Sequence, residues 1–262
     1  MANLEQNNIN IPKSHPRYES LKYRHKIIEG MKNLVVAEAG LIAHGRGECF
    51  DYILGERSNE SAKKAIRAAV SLLLIAKRPI ISVNGNIAAL VPKELVKLSQ
   101  LVKAPLEINL FYQKEGRIEA IKNILEKVGA TNIRGILKDK MREIEGLESN
   151  RRFVDAIVEG DVIFIPLEDG DRTEALKKMN KKIIAVDLNP ISRTALNADI
   201  TIVDNIIRVL PEMINIGEKL KKLPMDELCK NTILFDNKKN IRNTLDLIIK
   251  YIKKQKKLVF QF

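Results

Sequence analysis

"DVIFIPLEDGDRTEAL", residues 161–176, runs an apolar segment straight into a cluster of charges. Val162 to Ile165 is a short continuous apolar run, the pattern of a strand buried on both faces in a parallel sheet. Glu168, Asp169 and Asp171 then surround Gly170, with Arg172 and Thr173 directly behind them. An inert turn has no need of so many charges. Open α/β sheets bind ligands at the carboxyl ends of their strands. This stretch therefore predicts a strand, a ligand-facing loop and a helix over 172–179.

The same texture runs along the chain from Pro79 onward. Short apolar runs over Ile80–Val83, Leu106–Leu110, Asn132–Ile136, Ile183–Val186 and Ile200–Val203 predict further strands. Helical spacings fall between them, around 86–103, 115–128, 152–158 and 191–196, with a longer helix after 204. Strand and helix in alternation argue for a parallel sheet with helices on both faces. Residues 1–15 read as an irregular arm and 16–77 as helical. Pro16 is placed to open the first helix, Gly45 and Gly47 to break the second, and Asn59 to cap the third. The α/β core spans 78–215, and a helical region with a last helix near 239–257 follows over 216–262. The charged stretch 137–150 reads as a long loop and a candidate mobile flap.

Composition narrows the classes. The chain has 262 residues, 30% charged and 45% hydrophobic, the profile of a globular domain. No apolar run approaches the roughly 20 residues of a membrane helix. The first residues lack the charged-then-apolar order of a signal peptide. Cys49 and Cys229 make no disulfide framework, so a cytoplasmic location is expected. The net charge of +12 invites an anionic partner. Yet most lysines stand beside glutamates on helical spacings, as in "KNILEKV" (122–128), where they solvate a surface. The dense basic run is confined to 253–257.

The residues leaving each strand are polar in similar ways: Asn84, Gly85 and Asn86; Asn109; Asp187, Asn189, Ser192, Arg193 and Thr194; Asp204 and Asn205. Turn preference explains any one of these ends, but explains less well their collection along one sheet edge. Asp187 is placed to bind a ribose hydroxyl pair or to form an Asx turn ahead of Pro190. Arg193 and Thr194 stand near a helix start, where phosphates bind. Arg46, between two glycines in "HGRG", suits a phosphate or an exposed turn alike. There is no G-x-G-x-x-G and no G-x-x-x-x-G-K-[ST]. His15, His25 and His44 lack metal-ligand spacing. No nucleophile motif is present. The residues by themselves point to an α/β protein that binds an anionic, nucleotide-like ligand. A different nucleotide-dependent enzyme, such as a dehydrogenase, is opposed by the missing glycine motif. A nucleic-acid-binding protein is opposed by the acids at the strand ends, which repel phosphates.

Seven segments taken together go further. "IPKSHPRYESLKYRHKIIEGM" (11–31), "GLIAHGRGECFDYILGE" (40–56), "ISVNGNIAALVP" (81–92), "EINLFY" (107–112), "IPLEDGDRTEAL" (165–176), "DLNPISRTA" (187–195) and "ITIVDNIIR" (200–208) occur in this order. They resemble the archaeal phosphopantothenate synthetases, or 4-phosphopantoate–β-alanine ligases, over about residues 10–215. Cys49 stands where that family suggests Ala, and Asn180 where it suggests Gly; neither touches the chemistry.

The resemblance implies a Rossmann-like three-layer fold with about six mostly parallel strands, a single ligase domain over 1–262, and a homodimer without nucleic-acid or membrane partners. It implies ATP-dependent joining of 4-phosphopantoate and β-alanine into 4'-phosphopantothenate, AMP and diphosphate, with Mg²⁺, on the route to coenzyme A. Carried over by matching motifs, the ATP contacts are Arg24, Arg46, Asp187, Leu188, Asn189, Arg193, Thr194, Asn205 and Ile206. Asn84 and Asn109 face phosphopantoate or β-alanine. Asp169 and Asp171 hold Mg²⁺ or the β-alanine ammonium, and Arg172 a substrate phosphate. The alternative for this last group is an internal Asp–Arg network with a helix cap at Asp171. Which acid meets the metal is left open.

Overall fold

Every residue of Pro79–Val83 is buried, and so is every residue of Val162–Pro166. Strands without a solvent face must be covered on both sides, and the rest of the chain supplies that cover. The computed structural model describes residues 11–111, 114–137, 142–144 and 153–259. Three helices come first: α1 (Tyr18–Lys32), α2 (Glu38–Leu54) and α3 (Glu60–Ile75). Then follow β1 (Pro79–Val83), α4 (Gly85–Leu90), α5 (Pro92–Val102), β2 (Leu106–Ile108), α6 (Arg117–Lys127) and β3 (Ile133–Arg134). A two-stranded antiparallel pair, β4 (Arg142–Glu143) and β5 (Phe153–Val154), precedes a 3₁₀ turn at Ala156–Val158. The second half holds β6 (Val162–Pro166), α7 (Gly170–Lys178), β7 (Lys182–Val186), α8 (Arg193–Asn197), β8 (Ile200–Ile202), α9 (Ile206–Leu220), α10 (Met225–Ile233) and α11 (Asn237–Val259).

All pairings in the main sheet are parallel, in the order β3-β2-β1-β6-β7-β8. The chain runs outward from β1 to β3, then returns to the other side of β1 and runs outward again. This is the Rossmann-type order, and its reversal opens a crevice at the carboxyl ends of β1 and β6. Side chains alternate between the two faces, as strand geometry requires. Ile81, Val83, Phe164, Ile184 and Val186 join the larger core, with residues of α3, α5 and α9. Ile80, Ile163, Ile165, Ile183 and Ala185 face the other way, onto Leu176 of α7, Ile157 and Val154. Among the described residues no helix is long and apolar enough to cross a membrane.

Each strand anticipated from the sequence is present, with ends shifted by up to two residues. Several other boundaries differ for physical reasons. The helix expected over 86–103 is two helices, because Pro92 lacks an N–H and opens a new helix at its first turn. The helix expected over 152–158 is instead β5 and a 3₁₀ turn. There the buried Glu107 carboxylate accepts the N–H groups of Asp155 (3.0 Å) and Ile157 (2.7 Å) and holds the backbone in a turn. Helix α2 passes through Gly45 and Gly47 unbroken, so Arg46 stands on a helix and not in a turn. Pro16 lies outside α1, which starts at Tyr18. Asn59 does cap α3, accepting from the Ala62 N–H at 2.9 Å. Most of the expected flap at 137–150 falls outside the described residues.

Helix α2 is tied to the sheet edge by a buried ionic group. Arg208 of α9 donates to Asp51 of α2 at 2.5 Å and to Asp204 at 2.6 Å. Asp204 also accepts from the Ser58 hydroxyl, and Asp51 from the Asn205 amide at 2.8 Å. The Asp51 and Asp204 side chains are 8% and 1% exposed, so their charges need the guanidinium between them. At the crevice itself, a Cβ on Gly85 would come within 2.1 Å of the Val35 carbonyl and 2.9 Å of Arg117 Nη2.

Arg208→Met should destabilise the protein by about 3–5 kcal/mol, the cost of leaving buried carboxylates unpaired; chemical denaturation followed by circular dichroism measures it. Gly85→Ala should cost about 1–3 kcal/mol by over-packing against a backbone oxygen. A melting temperature equal to that of the parent would refute the close approach.

Candidate functional site

The crevice is a cleft of about 540 Å³. Its floor is the set of loops leaving β1, β2, β6, β7 and β8, and one wall is α2. Of the residues expected at the site, Arg46, Asn84, Asn109, Asp169, Leu188, Asn205 and Ile206 line it. Arg24, Asp171, Arg172, Asp187, Asn189, Arg193 and Thr194 do not line it, and each is placed by a contact described below.

Asn84 holds the floor together. Its Oδ1 accepts from the Ile87 N–H at 3.2 Å, capping α4, and its Nδ2 donates to the carbonyls of Pro166 (3.0 Å) and Leu167 (3.1 Å). Leu167 has φ of 54°, a left-handed conformation costly for a residue with a side chain. The Leu167 N–H donates to Val186 at 3.0 Å, so the strained turn is gripped from both neighbouring strands. Asn109, buried on the next strand exit, donates to Ser82 Oγ at 3.1 Å.

The opening charge cluster divides into separate jobs. Asp169, not Asp171, caps α7, accepting from the Arg172 N–H at 2.9 Å. Asp171 pairs with the exposed Arg193 at 2.7 Å, which also meets Glu174 at 2.7 Å. Arg172 is 1% exposed and lies beside Glu168, Nε to Oε2 at 3.3 Å. Its Nη1 has no hydrogen-bond partner among the described residues. Glu168 lines the cleft with a side chain that is 9% exposed. Burial pushes its carboxyl up to about 7, against the pull of the Arg172 guanidinium. Its backbone carbonyl accepts from the Thr194 hydroxyl at 2.9 Å, so Thr194 secures the loop from behind.

The α2 side of the cleft carries Arg46, His44 and Glu48. Arg46 projects from α2 without a hydrogen-bond or ion-pair partner among the described residues. Arg24 reaches Glu48 at 2.7 Å, and Glu48 lines the cleft beside His44. Burial pushes the His44 imidazole below its usual range. His44 Nε2 and Glu48 Oε1 are both buried without a hydrogen-bond partner among the described residues. The Asp187 carboxylate is spent within its own loop, accepting from the Asn189 N–H at 2.9 Å and from the Ser192 hydroxyl. That is the Asx turn, and it presents Leu188 to the cleft. Burial raises the Asp187 carboxyl above its ordinary value. Asn189 in turn accepts from the Ile191 N–H at 3.1 Å. Asn205 caps α9 and is held by Asp51.

The acids here do not form a metal centre by themselves. Asp169 caps a helix, Asp171 pairs with Arg193, and Glu168 pairs with Arg172. Among the described residues no group of three or more His, Cys, Asp or Glu could hold an ion. Two site residues escaped the reading of the sequence. Arg117, 5% exposed at the start of α6, lines the cleft and donates to the Val35 carbonyl at 2.9 Å. It carried no signal beyond following a glycine. Glu107, fully buried on β2, holds the Asp155 and Ile157 N–H groups, and burial raises its carboxyl. A lone charge inside the apolar run "LEINL" was the legible sign.

Residues 61–251 match the family model described as phosphopantothenate/pantothenate synthetase. The chain is 53% identical over 240 residues to a 4-phosphopantoate–β-alanine ligase of Thermococcus kodakarensis, covering 90% of this chain and 91% of that protein. It is 45% identical over 245 residues to a protein of the same name from Methanosarcina mazei, covering 93% and 96%. A third, from Methanospirillum hungatei, is 43% identical over 240 residues, covering 91% and 96%. The crevice at the strand reversal, its arginine-bearing α2 wall and these matched lengths agree, and the chain belongs to the phosphopantothenate/pantothenate synthetase family.

Proposed function

We propose that the protein joins 4-phosphopantoate to β-alanine with ATP, giving 4'-phosphopantothenate, AMP and diphosphate through an acyl adenylate, in coenzyme A biosynthesis. The carrying observation is a cleft at the Rossmann-type switch point, with Arg46 on the α2 wall and Glu168 and Asp169 on the loop that leaves β6. Both partners of the first step are anions, so the site must neutralise charge where phosphates meet. Arg46 and Arg24 serve the ATP phosphates. Asp187, Leu188 and Asn189 form the turn beside the ribose, with Asn205 and Ile206 from the neighbouring strand exit and Arg193 and Thr194 behind it. The phosphopantoate carboxylate attacks the α-phosphate, its oxygen bonds to phosphorus, and diphosphate leaves.

Asn84 and Asn109 shape the floor under the acyl group. Asp169 lines the cleft beside Glu168, while Asp171 and Arg172 act on that loop from outside, through Arg193 and Glu168. Mg²⁺ arrives on the ATP phosphates, and no residue is assigned to it. The chain acts as one ligase domain within a homodimer. Large apolar side chains left exposed, Ile233 at 79% and Leu234 at 82%, support an association.

Incubation with ATP, phosphopantoate and β-alanine should yield AMP; ADP with inorganic phosphate in its place would replace the adenylate by an acyl phosphate. Arg46→Lys keeps the charge but loses the two-pronged grip on phosphate oxygens. It should leave stability within about 0.5 kcal/mol while lowering kcat/KM for ATP by about ten- to a hundredfold, the loss of a charged hydrogen bond of about 1.5–3 kcal/mol. Unchanged kinetics with a normal melt would remove Arg46 from the site.

A further inference from the structure

The ligase reaction needs more than nucleotide chemistry. β-Alanine carries an ammonium, which has no lone pair and cannot attack an acyl carbon. Something in the cleft must accept its proton. Asp169 and Asp171 are engaged as a cap and as a partner of Arg193. Asp187 is engaged within its own turn and does not line the cleft.

Glu168 is placed differently. It lines the cleft from the exit of β6, at the strand reversal. Its backbone is fixed by Asn84 at the preceding carbonyl, by Thr194 at its own, and by the left-handed turn at Leu167. Its Oε1 accepts from the Asp169 N–H at 3.1 Å, and its Oε2 faces Arg172 at 3.3 Å. Arg172 is itself buried, 1% exposed, beside Glu168. A strained, multiply anchored loop that carries a buried carboxylate into a cleft is the arrangement expected of a positioned functional group.

We propose that Glu168 receives the ammonium end of β-alanine and takes its proton, freeing the amine for attack, with Arg172 as the residue that positions the carboxylate. This rests on the ligase reading above. The step balances as follows. The ammonium N–H bond breaks and its proton passes to a Glu168 oxygen. The nitrogen lone pair forms the C–N bond at the acyl carbon. When the tetrahedral adduct collapses, the bond from that carbon to the AMP oxygen breaks and AMP leaves with the electron pair. The second ammonium-derived proton passes to the departing phosphate, and Glu168 returns its own proton to water.

The charged and titratable groups around Glu168 are Arg172 from α7, Asp169 from its own loop, Glu107 from β2, Arg117 from α6, and His44, Arg46 and Glu48 from α2 across the cleft. Burial raises the Glu168 carboxyl to about 7. The carboxylate form increases as pH rises through that value, so kcat/KM for β-alanine should climb by about tenfold per pH unit below it and level off above.

The test compares Glu168→Gln with the parent in three reactions. Phosphopantoate-dependent pyrophosphate exchange into ATP reports adenylation alone and should stay within about threefold. Amide formation with β-alanine should fall by about a hundredfold or more and lose its acidic pH limb. Hydroxylamine, an amine largely unprotonated at neutral pH, needs no base, so hydroxamate formation should stay near the parent's rate. Because Gln leaves Arg172 buried without its carboxylate, Glu168→Gln with Arg172→Met removes both charges, and its melting curve checks the fold; the same pattern is expected. Retained β-alanine activity in the Gln variant, or an equal fall with β-alanine and hydroxylamine, would overturn the proposal. A parent enzyme without pyrophosphate exchange would overturn the adenylate instead. The comparison of the two amines still reads Glu168, whichever leaving group the acyl carries.

Discussion

One asparagine side chain joins the two halves of the sheet where they diverge. Asn84 caps α4 with its oxygen and holds the Pro166 and Leu167 carbonyls with its nitrogen. β1 and β6 are neighbours in the sheet but far apart in the chain, and their crossovers leave in opposite directions. The crevice between them is a gap that topology requires and packing does not close. Without a bridge, the exits of β1 and β6 would be independent loops. With it, the left-handed turn at Leu167 is tolerated and Glu168 reaches the cleft in a defined orientation.

The walls of the cleft follow from that floor by ionic ties. Arg208 draws Asp51 of α2 to Asp204 and Asn205 at the end of β8. Helix α2 thereby carries Arg46, His44 and Glu48 over the strand exits. On the opposite side, Arg172 lies beside Glu168, and Arg193 ties Asp171 and Glu174 together. The buried charges among these, on Asp51, Asp204 and Arg172, add little net stability, because desolvation offsets their attraction. Their effect is positional: each holds a helix or loop in the register at which Arg46 and Glu168 line one cleft.

The division of labour in "LEDGDRTEAL" shows how far residue types can be read. Its charge density marked the loop that lines the cleft at the end of β6. Which charge did what depended on the helix starting at Gly170, two residues earlier than a cap at Asp171 would require. That shift of register turned Asp169 into the cap and buried Arg172 under the loop. Asp187 tells the same story: its type and place at a strand end fit either a ligand contact or an Asx turn, and in the structure its oxygens are used by Asn189 and Ser192.

The alternation of short apolar runs with helical spacings was enough to determine the α/β class, the six strands of the main sheet and the edge at which polar residues gather. These are local properties, set by side-chain periodicity and by the burial a strand demands. The long motifs were enough to determine the family. Tertiary structure alone decided that α2 continues through Gly45 and Gly47, that Glu107 stops a helix fifty residues away in sequence, and that Arg117 and Glu168 face one cleft. Each of these depends on contacts between segments distant in the chain. Burial, desolvation and the choice of hydrogen-bond partner exist only once those segments have met.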